Sequence, residues 1–226
     1  MKVDHDSREA PQISKSGLIG NQLLSVGHSN LEIARFVQLL QASRVTAIAD
    51  VRSQPFSKWL PWTNRPNLEQ ALAEHEIHYH FLGDLLGGRP QSTEVYDLEG
   101  RVDYERVKIT AAFQRGLDRM AQVLENSRLA MLCSEEDPID CHRGLLIAPA
   151  MKERGFAAMH IRGDGSLESQ ADFEARLIDA TGVGSGLLDG LFAASLSTED
   201  HHQILADAYR FQSHRKAFRL TAEQKE

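Results

Sequence analysis

Five short runs rich in apolar residues punctuate this chain: Gln22 to Val26, Val45 to Ala49, Ile77 to Phe81, Arg128 to Leu132 and Phe156 to Ile161. The segments between them are long enough to hold helices. Strands joined by helix-length crossovers pair in parallel, because a tight turn connects only antiparallel neighbours. A parallel sheet of this kind must cover both of its faces. In such sheets, ligands collect outside the carboxyl ends of the strands.

The connecting segments carry helical periodicity. Leu31, Phe36, Val37, Leu39 and Leu40 form one apolar face, and Ser29 with Glu32 has the spacing of a capping box ahead of it. Asn67 to Glu76 reads as a helix with Asn67 at its N-cap, Val102 to Glu125 as one long helix, and Leu145 to Arg154 as a helix stopped near Gly155. Pro55, Pro61 and Pro66 interrupt the stretch after Asp50, leaving a long loop with Trp59 and Trp62; a loop of that size is unusual unless it covers something. The expected fold is α/β, a mostly parallel, about five-stranded Rossmann-like sheet with helices on both faces and a C-terminal helical extension. Residues 1–20 are polar and read as a loosely attached tail, 21–166 as the α/β domain, and 167–226 as the extension. Within the extension, a short helix at Ala171 to Ala180 precedes a Gly/Ser-containing link, Thr181 to Gly190, and a final amphipathic helix from about Glu199 to Phe218.

Composition narrows the function classes. With 25 basic and 32 acidic residues and a formal charge of -7, the chain lacks the general electrostatic grip needed for duplex nucleic acid. No apolar stretch approaches a membrane span, and the N-terminus has no secretory pattern. Two cysteines in 226 residues make no disulfide framework, so the cytoplasm, with both thiols reduced, is the expected setting.

Both cysteines fall in one stretch, Leu132-Cys-Ser-Glu-Glu-Asp-Pro-Ile-Asp-Cys-His-Arg-Gly144, where an expected strand hands over to an expected helix. The first turn of a helix has unpaired N–H groups and a positive dipole end, which attract anions and favour a thiolate. Three readings follow. As an enzyme, a hydrolase or transferase, the chain would hold a phosphorylated or nucleotide-like anion on Arg52, Arg143 and the helix start, while Cys141 attacks or His142 moves a proton and Asp50 orients the imidazole or serves as base. His28, Ser29, Asn30, Ser53 and Cys133 would complete the binding surface from neighbouring strand ends. The Cys-x5-Arg cradle of thiol phosphatases is absent. As a metal protein, it would ligate through Cys133, Cys141 and either His142 or His28, with water or Asp50 in fourth place; the cysteines stand eight positions apart, looser than a zinc knuckle, and the first reading assigns no metal and leaves the cofactor open. As a non-enzymatic module, it would bind a nucleotide or a nucleic-acid end, with Trp59 and Trp62 as stacking surface.

Four ordered motifs add a resemblance. Ser25-Val-Gly-His-Ser-Asn30, Asp50-Val-Arg-Ser53, Leu86-Gly-Gly-Arg-Pro90, and Leu132-Cys together with Cys141-His-Arg143 make the chain resemble the DUF488 family of bacterial and archaeal proteins over about residues 22 to 165. The resemblance implies a compact α/β domain and no established reaction. By correspondence, the family's characteristic polar residues fall on His28, Asp50, Arg52, Cys133, Cys141, His142 and Arg143.

Overall fold

The computed structural model describes residues 22–185 and 197–221. The expected tail at 1–20 and part of the Thr181 to Gly190 link lie outside the described residues. Six strands form one sheet: β1 (Leu23–Gly27), β2 (Ala47–Asp50), β3 (His78–Phe81), β4 (Leu129–Cys133), β5 (Met159–Ile161) and β6 (Leu167–Ser169), in the order β3-β2-β4-β1-β5-β6. The first five run parallel, and β6 pairs antiparallel with β5. The fold is therefore the expected α/β type. Its additional strand, β6, has the sequence Leu-Glu-Ser, which carries no apolar run because it sits at the sheet edge.

The helices are α1 (Ile33–Ala42), α2 (Arg65–Ala73), α3 (Gly83–Leu86), α4 (Tyr104–Lys108), α5 (Ala111–Leu124), α6 (Ala148–Glu153), α7 (Gln170–Thr181) and α8 (Thr198–Lys216). Every residue of β1, β2 and β4 is buried, and the two-residue period of the strands divides the core. Leu24, Val26, Ile48, Ala130 and Leu132 point to one face, against Phe36, Leu39 and Leu40 of α1 and Leu68 and Leu72 of α2. Leu23, Ala47, Ala49, Leu129 and Met131 point to the other, against Leu117, Met120 and Leu124 of α5, Met151 of α6 and Phe173 of α7. The chain thus leaves β1 and β2 toward one face and β4 toward the other. The carboxyl end of β4 is where these paths diverge, the favoured place for a crevice.

Several local expectations give way to tertiary contacts. No capping box forms at Ser29: Glu32 holds the N-cap position of α1 without a side-chain cap, and Ser29 adopts φ 45°. Its backbone N–H donates instead to the Ser134 carbonyl (2.8 Å), which continues the β1–β4 pairing beyond the strand. Asn67 lies inside α2, whose N-cap position belongs to Asn64, with Pro66 in the first turn. The expected helix from Val102 to Glu125 is broken between α4 and α5, where the Thr110 hydroxyl accepts from Phe113 N (3.2 Å) and starts a new helix. The helix after His142 opens as a π-turn, Arg143–Ile147, before α6.

A buried hydrogen-bond chain crosses β1 and β5. His160, with no exposed surface, sends Nε2–H to the Gln170 amide oxygen (3.2 Å) and accepts from the Ser25 hydroxyl at Nδ1 (2.7 Å). Burial, reinforced by the positive charge of Arg143, lowers the pKa of His160 to about 4; Glu168 and Gln170 push the other way, and Arg162 lowers it further. The unfolded chain then binds a proton near pH 6.5 that the folded chain refuses until about pH 4. This contribution is complete above pH 6.5 and is lost as pH falls through that window, by up to about 3 kcal/mol. Urea denaturation at a series of pH values should show stability declining from pH 6.5 toward 4, and His160→Gln should flatten the slope. An unchanged slope in the variant would assign the acid sensitivity to other groups.

Candidate functional site

The parallel register sets the carboxyl ends of β1, β2 and β4 at one level, with Gly27 beside Cys133 and Asp50 beside Leu132. At that edge a cavity of about 390 Å³ opens, with Cys133, Cys141 and His142 in its wall. Both cysteines are free and buried. Cys141 follows a 3-10 turn, Pro138–Asp140, which folds the chain back so that residues distant by a loop meet. The thiol of Cys133 donates to Glu135 Oε2 (3.1 Å), and Arg143 N–H donates to Cys141 Sγ (3.4 Å). His142 Nδ1 stands 3.7 Å from Cys133 Sγ and 3.8 Å from Cys141 Sγ.

On the far side of that ring, Nε2 lies 3.0 Å from the Val51 carbonyl. A carbonyl only accepts, so Nε2 carries a proton and Nδ1 is the ring atom turned to both sulfurs. Burial works against a second ring proton, but Cys141, Glu135 and the Val51 hydrogen bond outweigh it and raise the His142 pKa. The sulfurs differ electrostatically. The contact with Cys141, added to burial, pushes the Cys133 thiol well up. Burial also works against the thiolate of Cys141, but the neighbouring Cys133 thiol, the charge of Arg143 and the contact with His142 outweigh it and hold Cys141 well below the usual thiol range. Glu135 is raised by burial and by Cys141.

The residues singled out from sequence separate into two groups. Arg52, Ser53, Cys133, Cys141 and His142 line the cavity. His28, Asp50 and Arg143 are buried behind it. Asp50 has no exposure: Oδ1 accepts from Arg52 Nε (2.9 Å), and Oδ2 accepts from Arg52 Nη2 (2.6 Å) and the Tyr79 hydroxyl (2.7 Å). Its carboxylate is occupied by partners that leave it no path to a reacting group. Arg52 also donates to the Thr63 carbonyl (2.9 Å) and to His28 Nε2 (3.3 Å), while His28 Nδ1–H donates to Ser29 O (2.8 Å). Burial and the nearby Arg52 charge lower His28 to about 4, so this ring is a neutral acceptor.

Arg143 has no exposed surface, and its guanidinium donates to Glu135 O and Glu136 O (2.6 Å each) and to Ser25 Oγ (3.3 Å). It holds the loop that carries the cysteines and does not face the cavity. Ser29 and Asn30 sit beside the His28 turn and do not line the cavity either.

Other lining groups escaped the sequence reading. Tyr104, Lys216 and Phe218 come from segments with no motif, and Glu135 comes from the acidic Glu135-Glu136-Asp137 run between the cysteines. Arg89 belongs to the Leu86–Pro90 motif, whose glycines are explained by close approach: a Cβ on Gly88 would lie 3.0 Å from the His142 ring. Trp62 packs on His28 (5.8 Å between centroids) and Phe36 (5.3 Å), pinning the long loop, whereas Trp59 is 81% exposed.

A family model described as "Domain of unknown function DUF488" matches residues 32–148, just over half of the chain. The chain belongs to the DUF488 family. No match is found among curated proteins or among solved structures. The DUF488 match takes in β2, β3, β4 and the cysteine corner; β1 and the C-terminal residues Lys216 and Phe218, which close the cavity, lie outside it.

The corner tolerates little added volume. Helix propensity alone favours Gly144→Ala by about 1 kcal/mol. A Cβ there would sit 2.2 Å from the Pro138 carbonyl oxygen, so the substitution should instead destabilise the fold, by about 1–3 kcal/mol. Equilibrium urea denaturation decides between the signs, and a gain in stability would show the corner to be loosely packed.

Proposed function

We propose that this DUF488 chain is a cytoplasmic enzyme, a hydrolase or transferase, that takes a small phosphorylated or nucleotide-like anion in the cavity at the carboxyl end of β4. The observation that carries the reading is the convergence, on one cavity, of two thiols and an imidazole at the inner end with exposed cationic side chains at the mouth. Arg89 lies with its guanidinium over the Phe218 ring at 4.8 Å, which orients the cation without consuming its hydrogen-bond donors. Lys216 stands 2.8 Å from Asp140 at the rim. Phe56 in the wall, 73% exposed, offers a flat apolar surface for a ring beside an anionic group.

In this reading Cys133, Cys141 and His142 form the reacting end. Asp50, His28 and Arg143, engaged behind the cavity wall, act as positioning residues, and so does Arg52, which reaches the wall but commits its guanidinium to Asp50, Thr63 and His28. Arg89 replaces Arg143 as the anion-binding guanidinium. No described helix is long and apolar enough to cross a membrane, which agrees with a substrate met in water.

A second reading, a binding module without turnover, draws on the exposure of Phe56 in the cavity wall and of Trp59 in the same loop. Titration with inorganic phosphate and with nucleoside monophosphates, followed by calorimetry, tests binding directly. Saturable binding is expected, weakened about ten-fold in Arg89→Ala, the equivalent of one charge-assisted hydrogen bond. Binding by none of these anions, or binding unchanged in Arg89→Ala, removes the anionic-substrate reading. Binding without turnover of phosphomonoesters, phosphodiesters or nucleotides selects the module.

A further inference from the structure

Three electron-pair donors meet at the inner end of the cavity. Cys133 Sγ, Cys141 Sγ and a His142 ring nitrogen lie within 4.8 Å of one another. The two sulfurs are almost equally far from the same atom, Nδ1, at 3.7 and 3.8 Å. A single linear hydrogen bond does not account for that symmetry. With a proton on Nε2 directed at the Val51 carbonyl, the Nδ1 of a neutral ring has one lone pair in the ring plane and can accept one S–H, not two. Around a tetrahedral ion with metal–sulfur bonds of about 2.3 Å and a metal–nitrogen bond of about 2.0–2.1 Å, each sulfur–nitrogen edge would be about 3.6 Å. Both observed edges are near that length.

We propose that Cys133, Cys141 and His142 bind a thiophilic divalent cation, zinc in the first instance, through three protein ligands with the fourth position open to the cavity. Two sulfurs and an imidazole select a borderline-soft ion over magnesium or calcium. Three protein ligands with one open position form the pattern of catalytic zinc, whereas structural sites are closed by a fourth. The Val51 carbonyl supplies the outer hydrogen bond that fixes the tautomer and orientation of a ligating histidine.

The loop between the cysteines is long for a zinc knuckle. Its ends are brought together by the Arg143 guanidinium on the Glu135 and Glu136 carbonyls and by the Pro138–Asp140 turn. On binding, two metal–sulfur bonds and one metal–nitrogen bond form, and each thiol loses its proton. The Cys133 proton already points at the Glu135 carboxylate, and both thiol protons, with any proton on His142 Nδ1, pass to solvent. Two thiolates then balance the charge of the cation.

This inference rests on the cavity reading for the use of the fourth position, but its test does not depend on any substrate. The full chain is purified from zinc-supplemented medium without chelator and its metal content measured per chain. About one zinc per chain is expected. Cys133→Ser and His142→Ala should each retain about ten-fold less, or lower still, with folding checked by circular dichroism. The stripped, reduced wild-type chain, which needs no variant, should take up cobalt(II) with sulfur-to-cobalt charge transfer in the near ultraviolet and the intense visible bands of tetrahedral cobalt. A folded, reduced wild-type chain that retains no zinc and shows neither cobalt signature overturns the proposal. Recovery of the chain with a Cys133–Cys141 disulfide, and no ion uptake after reduction, overturns it in favour of a redox pair. Phosphate or nucleotide binding by a chain that takes up no metal would sink the metal site alone. A chain that loads zinc and binds no phosphate keeps the metal site and loses the anionic substrate.

Discussion

The buried guanidinium of Arg143 is the contact on which the rest of this site depends. Its three oxygen acceptors are two backbone carbonyls and a hydroxyl, all neutral, so none of them compensates its charge. An isolated cation at zero exposure would be costly. The compensation comes from the sulfur that its own backbone N–H meets, Cys141, which is one reason that thiol is held low. The same side chain closes the loop between the cysteines and reaches β1 through Ser25. Geometry, charge and strand pairing at this corner therefore have a common support.

Close backbone approach is the second constraint. The end of β1 runs so near the loop after β4 that a Cβ on Gly27 would lie 1.7 Å from the Glu135 carbonyl oxygen, and a Cβ on Gly83 would lie 2.0 Å from that of Arg52. These contacts let the three strand ends and the Leu86–Pro90 segment converge on one cavity. Behind it, the Asp50–Arg52 pair, with Tyr79, Thr63 and His28 as further partners, anchors the long loop whose Trp62 covers α1. The polar residues quoted as motifs thus divide by depth: an inner set fixes the backbone, and a smaller outer set meets solvent.

The cavity also joins parts of the chain with different standing. Residues 32–148 make up the family match and hold the cysteines, His142 and Arg89. Lys216 and Phe218, from the end of α8 and the segment after it, close the opposite wall, and Gln212 ties α8 to the Ile139 carbonyl (3.0 Å) beside the cysteine loop. The cysteine–histidine cluster belongs to the family domain, whereas part of the cavity wall is supplied from outside it.

The central strands could be read from the sequence because a strand buried on both faces requires a nearly continuous apolar run, whereas β3, at the sheet edge, shows only the alternation of His78-Tyr79-His80-Phe81; the parallel order followed from helix-length connections. That reading was enough to bring Asp50, Cys133 and the Cys141-His142-Arg143 corner to one edge. Where local signals competed with pairing they lost: Ser29 serves the β1–β4 ladder instead of a capping box, and Leu167–Ser169, too polar and short to register, is a strand because β5 offers it an edge. The α/β class and the set of polar groups at the carboxyl edge were legible in the residues, since both depend on burial periodicity and chain order. The folded chain alone reveals that Arg143 and Asp50 turn inward, that Glu135, Arg89 and Lys216 line the cavity, and that two sulfurs flank one imidazole nitrogen. Those directions are set by contacts between segments far apart in the chain, whose packing no local pattern encodes.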